Sequence, residues 1–273
     1  MTRRRFARWA VATALTRALP ASAESQEVTD TDVDIKTPDG TADAYFTHPS
    51  TGRYPAVLMW PDNRGLSPTF RLMGRRLARA GYSVLIPNPY YREHRGAVVP
   101  VGASGGAPAV RAVLAPLMQT MTAQTGTTDA KAFIEYLDHQ PSVDAERSMG
   151  ACGYSMMAPL AVRAAAAAPR RVAAVALFHG DGLLTDRSDS PHLLLPQIKA
   201  RFFIAVTDAV DKRDPNATAA LRSVFARAKV PAQIEVFPGT SMGWCMQDST
   251  YYNEAQAERA WSRMLTLFSR SLR

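Results

Sequence analysis

Along the chain, short apolar runs alternate with segments whose apolar positions recur every three to four residues. Residues 33–36 and 42–46 flank Thr37-Pro38-Asp39-Gly40, a turn-forming tetrapeptide, and so predict a hairpin at a sheet edge. Apolar runs at 54–60, 82–86, 147–153, 172–178, 200–206 and 233–237 read as further strands. Between them, helical spacing predicts helices over 70–80, 130–139, 159–168, 217–228 and 254–269. Gly81 ends the first of these and Asp129 stands near the start of the second. Residues 93–110, rich in Gly, Ala, Pro and Val, read as a loop. Strands alternating with helices over one uninterrupted stretch predict a single α/β domain, with a mostly parallel central sheet and helices on both faces.

Composition leaves that picture in place. The 273 residues are 47% hydrophobic and 21% charged, which excludes disorder, collagen and coiled coil as the main state. A net charge of +8 invites a nucleic-acid partner, but five of the positive charges are Arg3, Arg4, Arg5, Arg8 and Arg17, and without residues 1–23 the balance is +3. The remaining cations are scattered among acids, so no nucleic-acid partner is expected. The N-terminal arginines precede a mostly apolar stretch and the small residues Ala21-Ser22-Ala23. Residues 1–23 therefore resemble a twin-arginine signal peptide, implying export to the bacterial periplasm or secretion, with 24–273 as the folded domain. The alternative is a basic extension that stays attached to a cytoplasmic protein. No later segment approaches about 18 consecutive apolar residues, so no membrane span is expected. Cys152 and Cys245 allow one disulfide or two buried thiols, and no cysteine, histidine or carboxylate spacing suggests a metal site.

Candidate chemistry centres on Gly150-Ala151-Cys152-Gly153-Tyr154-Ser155-Met156-Met157-Ala158, where a strand runs straight into a helix through Gly-x-Ser. Such a turn lifts a nucleophile above the sheet, beside a helix N-terminus. Its bland counterpart is a serine that caps a helix. With 55–66 (PAVLMWPDNRGL), 81–92 (GYSVLIPNPYYR) and 237–244 (FPGTSMGW), the chain from about residue 50 onward resembles the dienelactone hydrolase family of α/β-hydrolases.

That resemblance implies a cofactor-free hydrolase of a small ester or lactone. It places the nucleophile at Ser155, the acid at Asp208 with Asp211 as rival, and oxyanion-binding N–H groups at Met156 and Asn63. It places an acid near the nucleophile at Asp62 and a carboxylate-binding arginine at Arg92. The family's histidine falls on Met242, a thioether that cannot accept a proton. Met246 stands where close members carry a second substrate-binding arginine. His179, following the apolar run 173–178, is then the candidate substitute base at the carboxyl edge of the sheet. The partner implied is a small-molecule ester, lactone or carboxylate, and the alternative function is a non-catalytic member of the fold that binds a small acidic or apolar ligand. A remoter one gathers Met156, Met157, Met242, Cys245 and Met246 around Cu(I).

Overall fold

The computed structural model of the protein describes residues 26–100, 103 and 107–273. The signal-like residues 1–23 lie outside these. A single eight-stranded sheet runs through the molecule in the order β1-β2-β4-β3-β5-β6-β7-β8. β1 (Val28–Thr37) and β2 (Gly40–Pro49) form the expected edge hairpin, extended well beyond the residues that predicted it. β2 lies antiparallel to β4 (Ser83–Pro87), and from there every neighbouring pair is parallel: β4 with β3 (Ala56–Trp60), then β5 (Met149–Tyr154), β6 (Val172–Phe178), β7 (Arg201–Thr207) and β8 (Ala232–Phe237). All the parallel strands except edge β8 read as near-continuous apolar runs because helices cover both faces of the sheet.

Alternation along each strand builds two cores. In β3, Ala56, Leu58 and Trp60 point to one face, where they meet α3 (Ala123–Asp138) and α4 (Ala158–Ala167). Val57 and Met59 point to the other, where Phe70 and Leu77 of α1 (Pro68–Arg79) and Trp261, Met264 and Phe268 of α7 (Glu254–Ser271) complete the packing. Each buried aromatic or aliphatic side chain contributes roughly 1.5–3 kcal/mol. Burial on this scale holds the strand ends, and the loops that leave them, in fixed relation.

The helices also correct the sequence reading. Residues 108–119, assigned partly to the loop, form α2 (Pro108–Gln119) despite an internal proline. α3 begins seven residues earlier than expected, where Thr122 and Thr125 form a reciprocal cap. Asp129 is consequently interior to α3 and caps nothing. The segment after β7 divides into α5 (Asp208–Arg213) and α6 (Pro215–Arg227), with Asp214 capping the second. Among the described residues no helix is long and apolar enough to cross a membrane.

Candidate active site

Ser155 opens a single 3-10 turn between β5 and α4 and sits at φ 53°, in the left-handed region that costs a non-glycine residue roughly 1–2 kcal/mol. The turn survives because its surroundings leave no alternative. A Cβ on Gly153 would lie 2.8 Å from the Ala158 Cα and 3.1 Å from the Met157 carbonyl, so only glycine lets α4 follow the strand so closely. Met157, two places after the serine, is accommodated by turning into the core, where it is almost wholly buried. Met156 turns outward.

Ser155 borders a cavity of about 530 Å³ at the carboxyl ends of the parallel strands, together with Asp62, Asn63, Arg64, His179, Met242 and Asp248. This is the edge of an open α/β sheet on which ligands bind. The loop after β3 brings in Asp62 to Arg64. Arg64 donates its backbone N–H and its Nε to the two Asp62 oxygens, each at 2.9 Å, while Tyr90 Oη donates to the Asn63 carbonyl at 2.8 Å. The peptide between Asn63 and Arg64 is thus pinned at both ends. The Arg64 guanidinium also forms a two-pronged pair with Asp248, at 2.7 and 3.1 Å. Burial pushes the Asp62 carboxyl up against the pull of Arg64. Burial also works on Asp248, but hydrogen bonds from Arg64 and Thr69 outweigh it and hold that carboxyl below its usual range.

His179, directly after β6, is a second left-handed residue, at φ 40°. Its Nδ1 lies 3.5 Å from Cys245 Sγ, and its buried Nε2 has no hydrogen-bond partner among the described residues. Burial, helped by the positive charge of Arg64, pushes its pKa down to about 3, so the imidazole is neutral across the physiological range. Burial raises the Cys245 thiol, which keeps its proton.

Three of the sequence-predicted residues are placed elsewhere. Asp208 does not border the cavity: its Oδ2 accepts from the Gly239 N–H at 3.0 Å and pairs with Lys212 at 2.8 Å, and these two contacts, in reverse order of weight, hold its carboxyl below the usual range. Asp211 is likewise absent from the lining. Arg92 is spent on structure, pairing with Asp129 at 2.7 and 2.9 Å and with Asp39 at 2.6 and 3.1 Å. It ties the β1–β2 turn to α3 and reaches no cavity lining; Tyr91, which bonds both Thr37 and Asp129, reinforces the same latch. Met242 does border the cavity, with its sulfur 4.0 Å from the Thr207 hydroxyl.

The soft-ligand cluster is not assembled. Met157 belongs to the core on one face of the sheet and Met246 to the core on the other, so no single ion reaches the set. Cys152 and Cys245 are both free thiols. Sequence reasoning missed Arg64 and Asp248, and it missed Cys245 as the neighbour of His179. Arg64 stood inside the quoted PDNRGL run, two places after Asp62, and that adjacency of opposite charges at a turn was its signal.

Comparison with known proteins agrees with this fold. The model of the dienelactone hydrolase family matches residues 42–272. A Synechocystis protein named, provisionally, as a carboxymethylenebutenolidase is 25% identical over 237 residues, covering 84% of this chain and 92% of its own length. Among solved structures, one named provisionally as a dienelactone hydrolase of Klebsiella pneumoniae superposes with a TM-score of 0.76 at 19% identity, over 90% of this chain and 100% of the other. A dienelactone hydrolase-like promiscuous phosphotriesterase from metagenomic libraries gives 0.72 at 20% identity, over 90% and 99%. At such identities the structures establish the α/β-hydrolase fold alone.

Proposed function

The chain belongs to the dienelactone hydrolase family, and from that membership we propose that it hydrolyses small esters or lactones with Ser155 as nucleophile. The observation that carries this reading is the left-handed Ser155, held between β5 and α4 at the wall of the cavity it shares with His179. A strained nucleophile on a strand-to-helix turn, with a neutral imidazole in the same cavity, is what acyl transfer requires.

In this reading Ser155 Oγ attacks the substrate carbonyl and its proton passes to His179 Nε2. Negative charge developing on the carbonyl oxygen is met by the N–H groups of Met156 and Asn63. The Met156 N–H opens a helical turn and so has no partner within it, and the Asn63 N–H makes no backbone hydrogen bond among the described residues. As the tetrahedral adduct collapses, the leaving oxygen takes the proton back from the imidazole. Water then cleaves the acyl-serine by the reverse sequence of proton transfers. Because Cys245 occupies the Nδ1 side, Nε2 is the nitrogen left for this work. A base whose pKa is as low as about 3 is weak, which sets the expectation of slow turnover. Asp208 fixes the loop that carries Met242, through Gly239 and Thr240, instead of orienting an imidazole.

Met242 in the histidine position favours a second reading, a protein that binds small esters or carboxylates without turning them over. Hydrolysis of 4-nitrophenyl acetate and of a small aliphatic lactone by the purified protein separates the two. Slow release that falls roughly 1,000-fold in Ser155→Ala, with unchanged melting temperature, is the expected result. Release that is equal in wild type and Ser155→Ala would leave the binding reading in its place.

A further inference from the structure

The run that forms α4, APLAVRAAAA, buries nearly every residue on both of its flanks, and Arg163 is buried with them at 9% exposure. A guanidinium withdrawn from water costs several kcal/mol unless an anion and a full set of acceptors replace the solvent. Arg163 has neither. Its Nη2 donates to the Asp189 carbonyl at 2.6 Å, and no carboxylate among the described residues pairs with it. The Asp189 carboxylate, the nearest candidate, is engaged through both oxygens by Arg187, at 2.8 and 3.1 Å. Two other buried or partly buried arginines, Arg64 and Arg92, are each met by two acids.

Arg163 faces a cavity of about 480 Å³, separate from the one at Ser155, whose walls include Met118, Met121, Leu160, Thr185 and Arg187. The thioethers and the leucine make one side apolar and adaptable. The other side carries two arginines against one acid, already paired. Burial pushes the Arg163 guanidinium below its usual value, with Asp189 opposing that shift and Arg187 adding to it.

We propose that this cavity is a binding site for a small carboxylate with an apolar body, its oxygens on the Arg163 guanidinium and its hydrocarbon against Met118, Met121 and Leu160. A planar carboxylate matches the guanidinium fork, whose Nε and Nη1 donate to nothing else among the described residues. The site is distinct from the hydrolytic cavity, though Met156 borders both, and the proposal does not depend on whether Ser155 turns substrate over.

The test uses hexanoate as probe, hexanol and inorganic phosphate as controls, and thermal melting with calorimetric titration as readouts. Hexanoate is expected to raise the melting temperature where hexanol and phosphate do not, since a ligand of the folded state stabilises by mass action. Its dissociation constant should rise at least tenfold in Arg163→Met, and that variant should melt no lower than wild type without ligand, because it removes an uncompensated buried charge. Met121→Glu keeps Arg163 and supplies a carboxylate from within the cavity, so it should also abolish hexanoate binding. An equal hexanoate shift in wild type and both variants, or equal shifts by hexanoate and hexanol, would overturn the assignment. So would Arg163→Met melting well below wild type while still binding hexanoate, which would give the guanidinium to the Asp189 turn instead. Ser155→Ala is expected to bind hexanoate as wild type does, which keeps failure of this proposal apart from failure of the hydrolytic one.

Discussion

At the carboxyl ends of β3 and β5 the backbone around the proposed nucleophile is fixed by packing and hydrogen bonds, whereas at the ends of β7 and β8 the side chains proposed for the same reaction are turned to other uses. The Asn63–Arg64 peptide is fixed from both sides, and Ser155 is kept left-handed by a helix packed directly against Gly153. Across the cavity, the Asp208 carboxylate faces the Gly239 N–H and Lys212, and Met242 offers a sulfur to the Thr207 hydroxyl. The first half depends on packing and backbone geometry, which tolerate no partial loss. The second depends on two side chains near the surface, which can change one at a time while the fold stands. His179, arriving from β6 between the halves, is the one imidazole among the described residues on the cavity wall.

The contrast predicts unequal responses to the same small change. Gly153→Ala places a methyl 2.8 Å from the Ala158 Cα, a backbone atom that cannot rotate away, so α4 must shift. A loss of roughly 3 kcal/mol in denaturant unfolding, with loss of any Ser155 chemistry, is expected. Gly239→Ala meets nothing within 4 Å and pays only for its φ of 69°, roughly 1 kcal/mol. Equal losses would mean that the loop after β8 is packed as tightly as the serine turn, and the comparison would collapse.

The same division governs what the sequence could show. β6 spans the very residues its apolar run predicts, and the hairpin follows from Thr37-Pro38-Asp39-Gly40, because in both cases the signal is local. α2 was hidden by Pro116 and by the glycine-rich stretch before it, and the start of α3 by TGTT, residues of low helix propensity that a cap and tertiary packing carry. Ser155 was legible because its turn is continuous in the chain. The partners that decide the chemistry are not local: Arg64 meets Asp248 across 184 positions, His179 meets Cys245 across 66, and Arg92 meets Asp39 across 53. Family resemblance put Arg92 on a substrate. Only the folded chain reveals that Asp39 and Asp129 already hold it.

Acid titration sharpens the comparison from the middle of the site. Burial, with Arg64 close by, lowers the His179 pKa in the folded protein to about 3, below the unfolded value near 6.5. The associated stability is present above the unfolded pKa and is lost as pH falls from there toward 3, at up to roughly 1.4 kcal/mol per pH unit. Asp62, whose folded pKa is raised, works in the opposite direction and returns some stability as it protonates. His179→Gln removes the first contribution and leaves the second. Its stability is therefore expected to fall less steeply than that of wild type between pH 6 and 4, by about 1 kcal/mol per unit. Parallel acid limbs in the two proteins would show that His179 is solvated, and with it the argument for a neutral, weak base would go.

Repairing the weaker half is the remaining test, and its effect should be the smallest of the three. Met242 borders the cavity together with Ser155, so Met242→His sets a solvent-accessible imidazole of ordinary basicity at the position where the family resemblance implies one. Both present contacts of Asp208 fall on Oδ2, which leaves Oδ1 to accept an Nδ1–H from the new ring. A gain of about tenfold in 4-nitrophenyl acetate hydrolysis, worth about 1.4 kcal/mol at the transition state, is expected from this change alone. Adding Lys212→Met withdraws a competing cation from Asp208. Because that pair is exposed at the lysine, the further gain should stay within about fivefold. A folded Met242→His protein no faster than wild type would place the fault in the backbone of the loop after β8, and the two halves would then differ in their main chain as well as in their side chains.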